Sequence, residues 1–416
     1  MNEDISRNSS FSLIKICWDF FFFLALQGLT IYIVSMKNIY LLLALCLGLL
    51  TGCTPKLKHE STEINLKDAV ASSERKNIED YCENLFYVKL ETNDDVLLRS
   101  PSYVFTPNSI IAYEEHALYQ FSYAGEFVKS YIHHGQGPKD ILHINEAMWN
   151  EERQELLVVD GVGKLMAFDE NLNYLYHKTF RVYSHTALSV GNYVYCGWGR
   201  DDFRKAPLKA VARFHIPSGE RELMYDSEFP YCEAKMFPMF SSGTYVFRCD
   251  TTIYFREHRS DSIFSFTPND TIKRFAYHIN AGDAYPAELD YNHEARGEIS
   301  NYLVVGGCTH SDDYLFIFYS YRDARRAMAV LHKKTGETFC LADTESNTLD
   351  GGLPIRPFQH VKGKTFYAGS LLPNFELSEE LVARVSAFEK KGSGLAEILA
   401  RTTEDDNPIL MFVELK

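Results

Sequence analysis

The residue whose chemistry is framed most sharply by its neighbours is Cys53, which closes Leu50-Thr51-Gly52-Cys53. Small residues before a cysteine suit a signal peptidase, and a thiol at the first position of the processed chain is the group that accepts a lipid. Lys37 supplies a short positive region, and Ile39 to Leu50 an apolar stretch of signal-peptide length, too short to span a bilayer. The three features stand in register, and they predict cleavage before Cys53 and lipid attachment to its thiol.

Tyr193, Tyr195, Trp198 and Arg200 form the second candidate, a ligand-binding group for a glycan or peptide. Aromatic faces beside a guanidinium are a common way to build such sites. A strand with ordinary packing aromatics explains the same pattern. Gly135-Gln136-Gly137-Pro138 reads as a structural turn needing positive φ at glycine. It lacks the helix start and lysine of a phosphate loop. His133 and His134 beside it point to opposite faces of a strand, so a shared metal is not expected.

Asp160 with Asp169, Asp201-Asp202, Asp312-Asp313 and Glu114-Glu115 fall where turns would be. Hard cations such as Ca²⁺ want oxygen ligands, but no spacing among these acids singles out a set. No metal and no cofactor are therefore assigned, with Ca²⁺ kept as the one to test. The chain contains no G-x-S-x-G and no H-E-x-x-H, and no catalytic residues are assigned. The net charge of −14 disfavours binding to a phosphate backbone, so nucleic acid is not an expected partner. Beyond Cys53, the cysteines Cys82, Cys196, Cys232, Cys249, Cys308 and Cys340 show no C-x-x-C spacing and are read as mostly free and buried.

The elements that must position these residues are strands. Aromatic residues make up 14% of the chain, and short β-rich runs bounded by turn residues fill positions 85 to 370. One unit recurs: an alternating strand, a few polar residues, a second strand ending in an aromatic, then a turn with Gly, Asn or Asp. Its anchors are Phe121, Phe168, Phe214, Phe266 and Leu331. Their spacing begins near the size of a propeller blade and lengthens, as a repeat with insertions would. One four-stranded blade has two apolar faces and can bury neither alone, whereas radial stacking buries both. The length from Leu85 to Lys416 accommodates six such units. The strand from Pro408 to Leu415 is expected to close the ring against Leu85 to Leu90. Leu381, Val382, Val385 and Phe388 share a helical face, followed by a second short helix around Leu395 to Leu399. The expected fold is thus all-β, a six-bladed β-propeller with a short helical insertion in the last blade.

Three features carry a resemblance. Phe121 to Pro138 runs F-S-Y-A-G-E-F-V-K-S-Y-I-H-H-G-Q-G-P, the unit S-D-S-I-F-S-F follows at 260–266, and Asp406-Asn-Pro-Ile-Leu precedes the end. With the lipid-acceptor box, the chain resembles the six-bladed β-propeller lipoproteins of Gram-negative gut bacteria, a family of largely unknown function with an NHL-like blade pattern. That resemblance implies a fold and a place in the cell envelope, and little chemistry. In that family an acidic residue and an aromatic usually follow G-x-G-P; here Lys139-Asp140-Ile141 stand there.

The expected layout is a gene-start extension or extra apolar anchor at 1–35 and a signal peptide at 36–52. The lipidated cysteine and a tether occupy 53–84, and the propeller 85–416. Thr54 after the cysteine favours the outer membrane, and Lys56 and Lys58 favour its periplasmic face. The expected function is a binding module held to the membrane through Cys53, meeting a glycan, a peptide or an envelope protein. The alternative is a Ca²⁺-dependent hydrolase, a lactonase-like enzyme or a lyase with its site in the central channel.

Overall fold

The computed structural model describes residues 62–416 apart from 162, 181–185, 198–208, 228–243, 258–259, 284–293, 323, 343 and 389–393. Six antiparallel sheets form a six-bladed β-propeller. Blades 1 to 5 occupy 102–132, 144–179, 187–226, 244–279 and 304–340, each with four strands paired in sequence order. Blade 6 takes three strands from 359–371 and 409–415 and its fourth, Cys82–Lys89, from near the start of the described chain. The first strands of successive blades contact one another and so line the centre. The fourth strands lie outermost and alternate with solvent, as in Tyr174–Thr179.

The reason for the ring is visible in the second and third strands. Leu156, Leu157, Val158 and Val159 are consecutive and all buried, so the blade buries both of its faces. Six apolar clusters fill the six blade junctions. Between blades 1 and 2, for example, Val104, Ile111 and Leu118 meet Trp149, Leu156, Val158 and Phe168. A fully buried side chain of this size contributes about 1.5–3 kcal/mol. The anchors Phe121, Phe168, Phe214, Phe266 and Leu331 all sit on third strands, those of blades 1 to 5.

Ring closure joins the two ends of the propeller. Ile409–Leu415 pairs antiparallel with Cys82–Lys89, with Lys89 opposite Ile409 and Leu85 opposite Val413. Short helices Pro373–Glu376, Glu379–Ser386 and Leu395–Leu399 interrupt the same blade between its second and third strands. Ser378 caps the middle one through the backbone N–H of Leu381. Its Leu381 and Val385 pack with Leu395, Ile398 and Leu399.

One boundary needs correction. The tether was expected to run to residue 84, but Thr62–Ile64 already pairs in parallel with the outer strand of blade 4 as a fifth strand. The helix Leu66–Ala71 and a bridge between Lys76 and Leu341 carry the segment along blade 5 to blade 6. The physical cause is the open edge of the outer strand, whose unpaired backbone groups accept another strand. Ile64 and Leu66 are fully buried by it. Cys82, Cys196 and Cys340 are free and buried; Cys249 and Cys308 are free and half-buried. Cys232 lies outside the described residues.

Candidate functional site

The two ends of the channel differ. At one end the turns are short, such as 106–108, 250–251 and 363–364. At the other lie the blade-to-blade connections, including 90–101, 133–143 and 341–358, and the helical insertion of blade 6. Long loops on a rigid strand frame are where binding groups collect.

Glu146 stands at the loop-rich end, on the inner strand of blade 2, Ile144–Asn150. Its Oε1 lies 3.5 Å from the hydroxyl of Tyr113, the next-to-last residue of the second strand of blade 1, opposite Ser102. Burial pushes the Glu146 carboxyl up to about 7, against the pull of Tyr113 and the Ala147 N–H. Burial and the carboxylate together raise the Tyr113 phenol. The field of Glu146 reaches the fully buried Cys196 of blade 3, whose thiol is raised chiefly by burial. A carboxyl that titrates near neutrality on a channel strand can donate or accept a hydrogen bond, hold a cation, or move a proton.

Two features frame this end. Blades 3 and 4 approach so closely that a Cβ on Gly197 would lie 1.6 Å from the Thr244 carbonyl oxygen. Arg256, 1% exposed, donates to the carbonyls of Val305 and Gly306, each at 2.7 Å, and so ties blade 4 to the inner strand of blade 5. Burial lowers its pKa. Further along the wall Phe358, 40% exposed just before the inner strand of blade 6, stacks on Phe318 with centroids 5.4 Å apart.

Of the residues singled out from sequence, Tyr193 and Tyr195 lie on the second strand of blade 3, Tyr193–Gly197. Tyr195 is fully buried between blades 3 and 4, its ring 5.4 Å from that of Phe266. Tyr193 is half-buried, with the Arg213 guanidinium 4.6 Å from its ring centroid. Trp198, Arg200 and Asp201-Asp202 lie outside the described residues, as does Cys53. The Gly135-Gln136-Gly137-Pro138 segment connects blades 1 and 2. Gly135 has φ +154°, and the Gly137 N–H donates to Asp140 Oδ2 at 3.0 Å. Lys164 holds the Gly137 carbonyl at 2.9 Å, and buried Asp160 accepts from the N–H groups of Leu142 and His143. His134 meets His116 with ring centroids 4.5 Å apart, while His133 meets Tyr131.

Among the described acids, Glu114 and Asp160 end second strands of blades 1 and 2, and Asp312-Asp313 lie in the turn after the inner strand of blade 5. Asp169 accepts from the N–H groups of Asn171 and Asn173, and Glu114 from that of Arg99. Among the described residues no three His, Cys, Asp or Glu side chains converge as a metal set. Sequence reasoning missed Glu146. The signal was the one acid in the strand I-N-E-A-M-W-N.

A protein of Bacteroides fragilis described as exported is 15% identical, with 86% of this chain and 99% of that chain covered and a TM-score of 0.65. A member of the duf4221 family from Bacteroides vulgatus is 11% identical, with 80% and 97% covered and a TM-score of 0.46. No curated protein matches. The family model described as "Domain of unknown function (DUF4934)" matches residues 61–414, and the chain belongs to that family.

Proposed function

We propose that this member of the DUF4934 family is a lipoprotein, anchored through Cys53 at the periplasmic face of the outer membrane, whose propeller binds a ligand or protein partner without transforming it. The binding site is the loop-rich end of the central channel, and the ligand is a glycan, a peptide or a segment of an envelope protein. The observation that carries this reading is Glu146, a half-buried carboxyl on an inner strand, beside Tyr113 and at the end where the long loops gather. The stacked pair Phe318 and Phe358 supplies an aromatic surface of the kind that sugar rings and peptide side chains pack on. The signal-peptide pattern ending in Leu50-Thr51-Gly52-Cys53 supports the anchor.

Glu146 also favours a second reading. A carboxyl titrating near neutrality is suited to general acid–base work, as a hydrolase or lyase in the channel would require.

The test is thermal-shift screening of residues 54–416, wild type and Glu146→Gln, against Ca²⁺, oligosaccharides and peptides. Stabilisation by a glycan or peptide that weakens in Glu146→Gln supports the binding reading. Stoichiometric Ca²⁺ that raises the melting temperature, with turnover of a bound compound lost in the variant, supports the enzyme.

A further inference from the structure

The outer edge of blade 4 fixes the side from which the chain enters the propeller. Thr62–Ile64 runs parallel to the outer strand Arg274–Ile279, with Thr62 opposite Tyr277 and Ile64 opposite Ile279. That outer strand leaves the turn 267–273, which lies at the short-turn end beside 250–251, because Phe266 pairs with Ile253. Both strands therefore run from the short-turn end toward the loop-rich end, and Thr62 is the end of its strand nearer the short turns. Cys53 stands nine positions before Thr62. An extended chain of that length reaches about 30 Å at most. To bring the loop-rich end to the point of lipid attachment, it would have to double back along the outer strand. Six residues of strand take about 20 Å, most of that reach.

The surface beside this entry is apolar and basic. Ile272 is 65% exposed and Phe275 37% exposed, five and two positions before Tyr277. The turn that carries Ile272 is pinned at several points. Thr267 and Asp270 exchange backbone hydrogen bonds, and the Ile272 N–H donates to Asp270 Oδ1 at 3.1 Å. The Tyr225 hydroxyl donates to the Thr271 carbonyl at 2.7 Å. Lys273 is exposed next to the isoleucine, and Lys334 and Lys364 are exposed on the short turns of blades 5 and 6. The acids among them are matched, Asp270 by Arg274 and Asp313 by Lys334. The short turns of blade 2 carry Glu151, Glu152 and Glu170 instead. Exposed apolar side chains flanked by lysines suit a bilayer interface, where the apolar groups enter the headgroup boundary and the ammonium groups meet anionic lipids.

We propose that the propeller lies with the short-turn side of blades 4 to 6 against the lipid bilayer. Ile272 and Phe275 enter the interface, and Lys273, Lys334 and Lys364 meet anionic headgroups. This orientation rests on lipid attachment at Cys53. It leaves the loop-rich end, with Glu146 and Tyr113, facing away from the membrane and open to a ligand in the aqueous space.

The experiment is photo-crosslinking of the mature lipidated chain in vesicles of phosphatidylethanolamine and phosphatidylglycerol that contain a phospholipid with a diazirine in its headgroup region. Flotation of the vesicles first reports whether the lipid holds the protein. Peptide mapping then locates the adducts, and those before Thr62 are not counted, since the tether meets the bilayer in any orientation. Adducts are expected within 267–275 and around Lys334 and Lys364, and not in the loops 90–101 and 341–358. In protein that floats, adducts on the loop-rich end, on both ends alike, or nowhere beyond the tether overturn the orientation and leave the anchor standing. Protein that does not float removes the anchor, and the orientation with it.

Discussion

Tyr113 and Glu146 belong to different blades, yet the phenol hydroxyl stands 3.5 Å from the carboxylate oxygen at the loop-rich end of the channel. The pair exists only because blades 1 and 2 are packed face to face. It converts an acid of ordinary type into one that changes charge near neutral pH.

The first prediction follows from that shift. The Glu146 carboxyl rises from 4.5 to about 7 on folding, so between those values the folded chain holds more protons than the unfolded one. Stability therefore falls as pH rises from about 4.5 to about 7 and is level beyond. Glu146→Gln removes the partly desolvated charge. It should match the wild type at pH 4 and exceed it at pH 8 by on the order of 1–3 kcal/mol. Denaturant melts at the two pH values check this, and a variant equally stable at both relative to wild type would refute it.

Gly197→Ala tests the junction of blades 3 and 4. The new methyl would fall 1.6 Å from a backbone oxygen of the next blade, and the backbone must move to admit it. The expected loss is roughly 3 kcal/mol or more, at the upper end for overpacking. Urea unfolding gives the value, and a loss under about 0.5 kcal/mol, the range of ordinary surface substitutions, would mean the blades are looser than described.

Ring closure is tested at Phe412. It is 1% exposed between blades 6 and 1, against Phe105 and Tyr367. Phe412→Ala should cost about 3–5 kcal/mol. Because this strand holds the two ends of the propeller together, proteolysis of the variant should begin near residues 82–89 and 409–415. First cuts in the loops of blades 3 and 4 would argue against closure as the weak point.

The anchor is tested by Cys53→Ser. The variant keeps the propeller but has no thiol for the lipid, so it should move from the membrane fraction to the soluble fraction and lose labelling by a fatty-acid probe. Retention in the membrane fraction would point to a different attachment.

Much of the fold was legible because blades repeat a local pattern. Phe121, Phe168, Phe214, Phe266 and Leu331 mark the third strands, and the apolar strand at 409–415 found its partner at 82–89. The helical face of Leu381 and Val385 was legible for the same reason, since residues four apart share one side of a helix. The candidate site was not. Glu146 stands alone in its strand, and no spacing marks it. Tyr193 and Tyr195 looked like a binding pair, but alternation along a strand says only that two side chains share a face. It does not say whether another blade covers that face.

What the sequence determined by itself was therefore periodic: strand after strand, the size of the repeat, the closing strand, the helical insertion. Strand alternation and turn chemistry act over a few residues, and they leave their mark in the order of residue types. What only the tertiary structure decided was which residues of different blades meet. Radial stacking buried Tyr195 and placed the Glu146 carboxyl beside Tyr113. It also drew residues 62–81 onto the rim, because the outer strand of blade 4 left backbone groups unpaired. Those contacts join positions far apart in the chain, and their chemistry comes from desolvation, which depends on what surrounds a group in space.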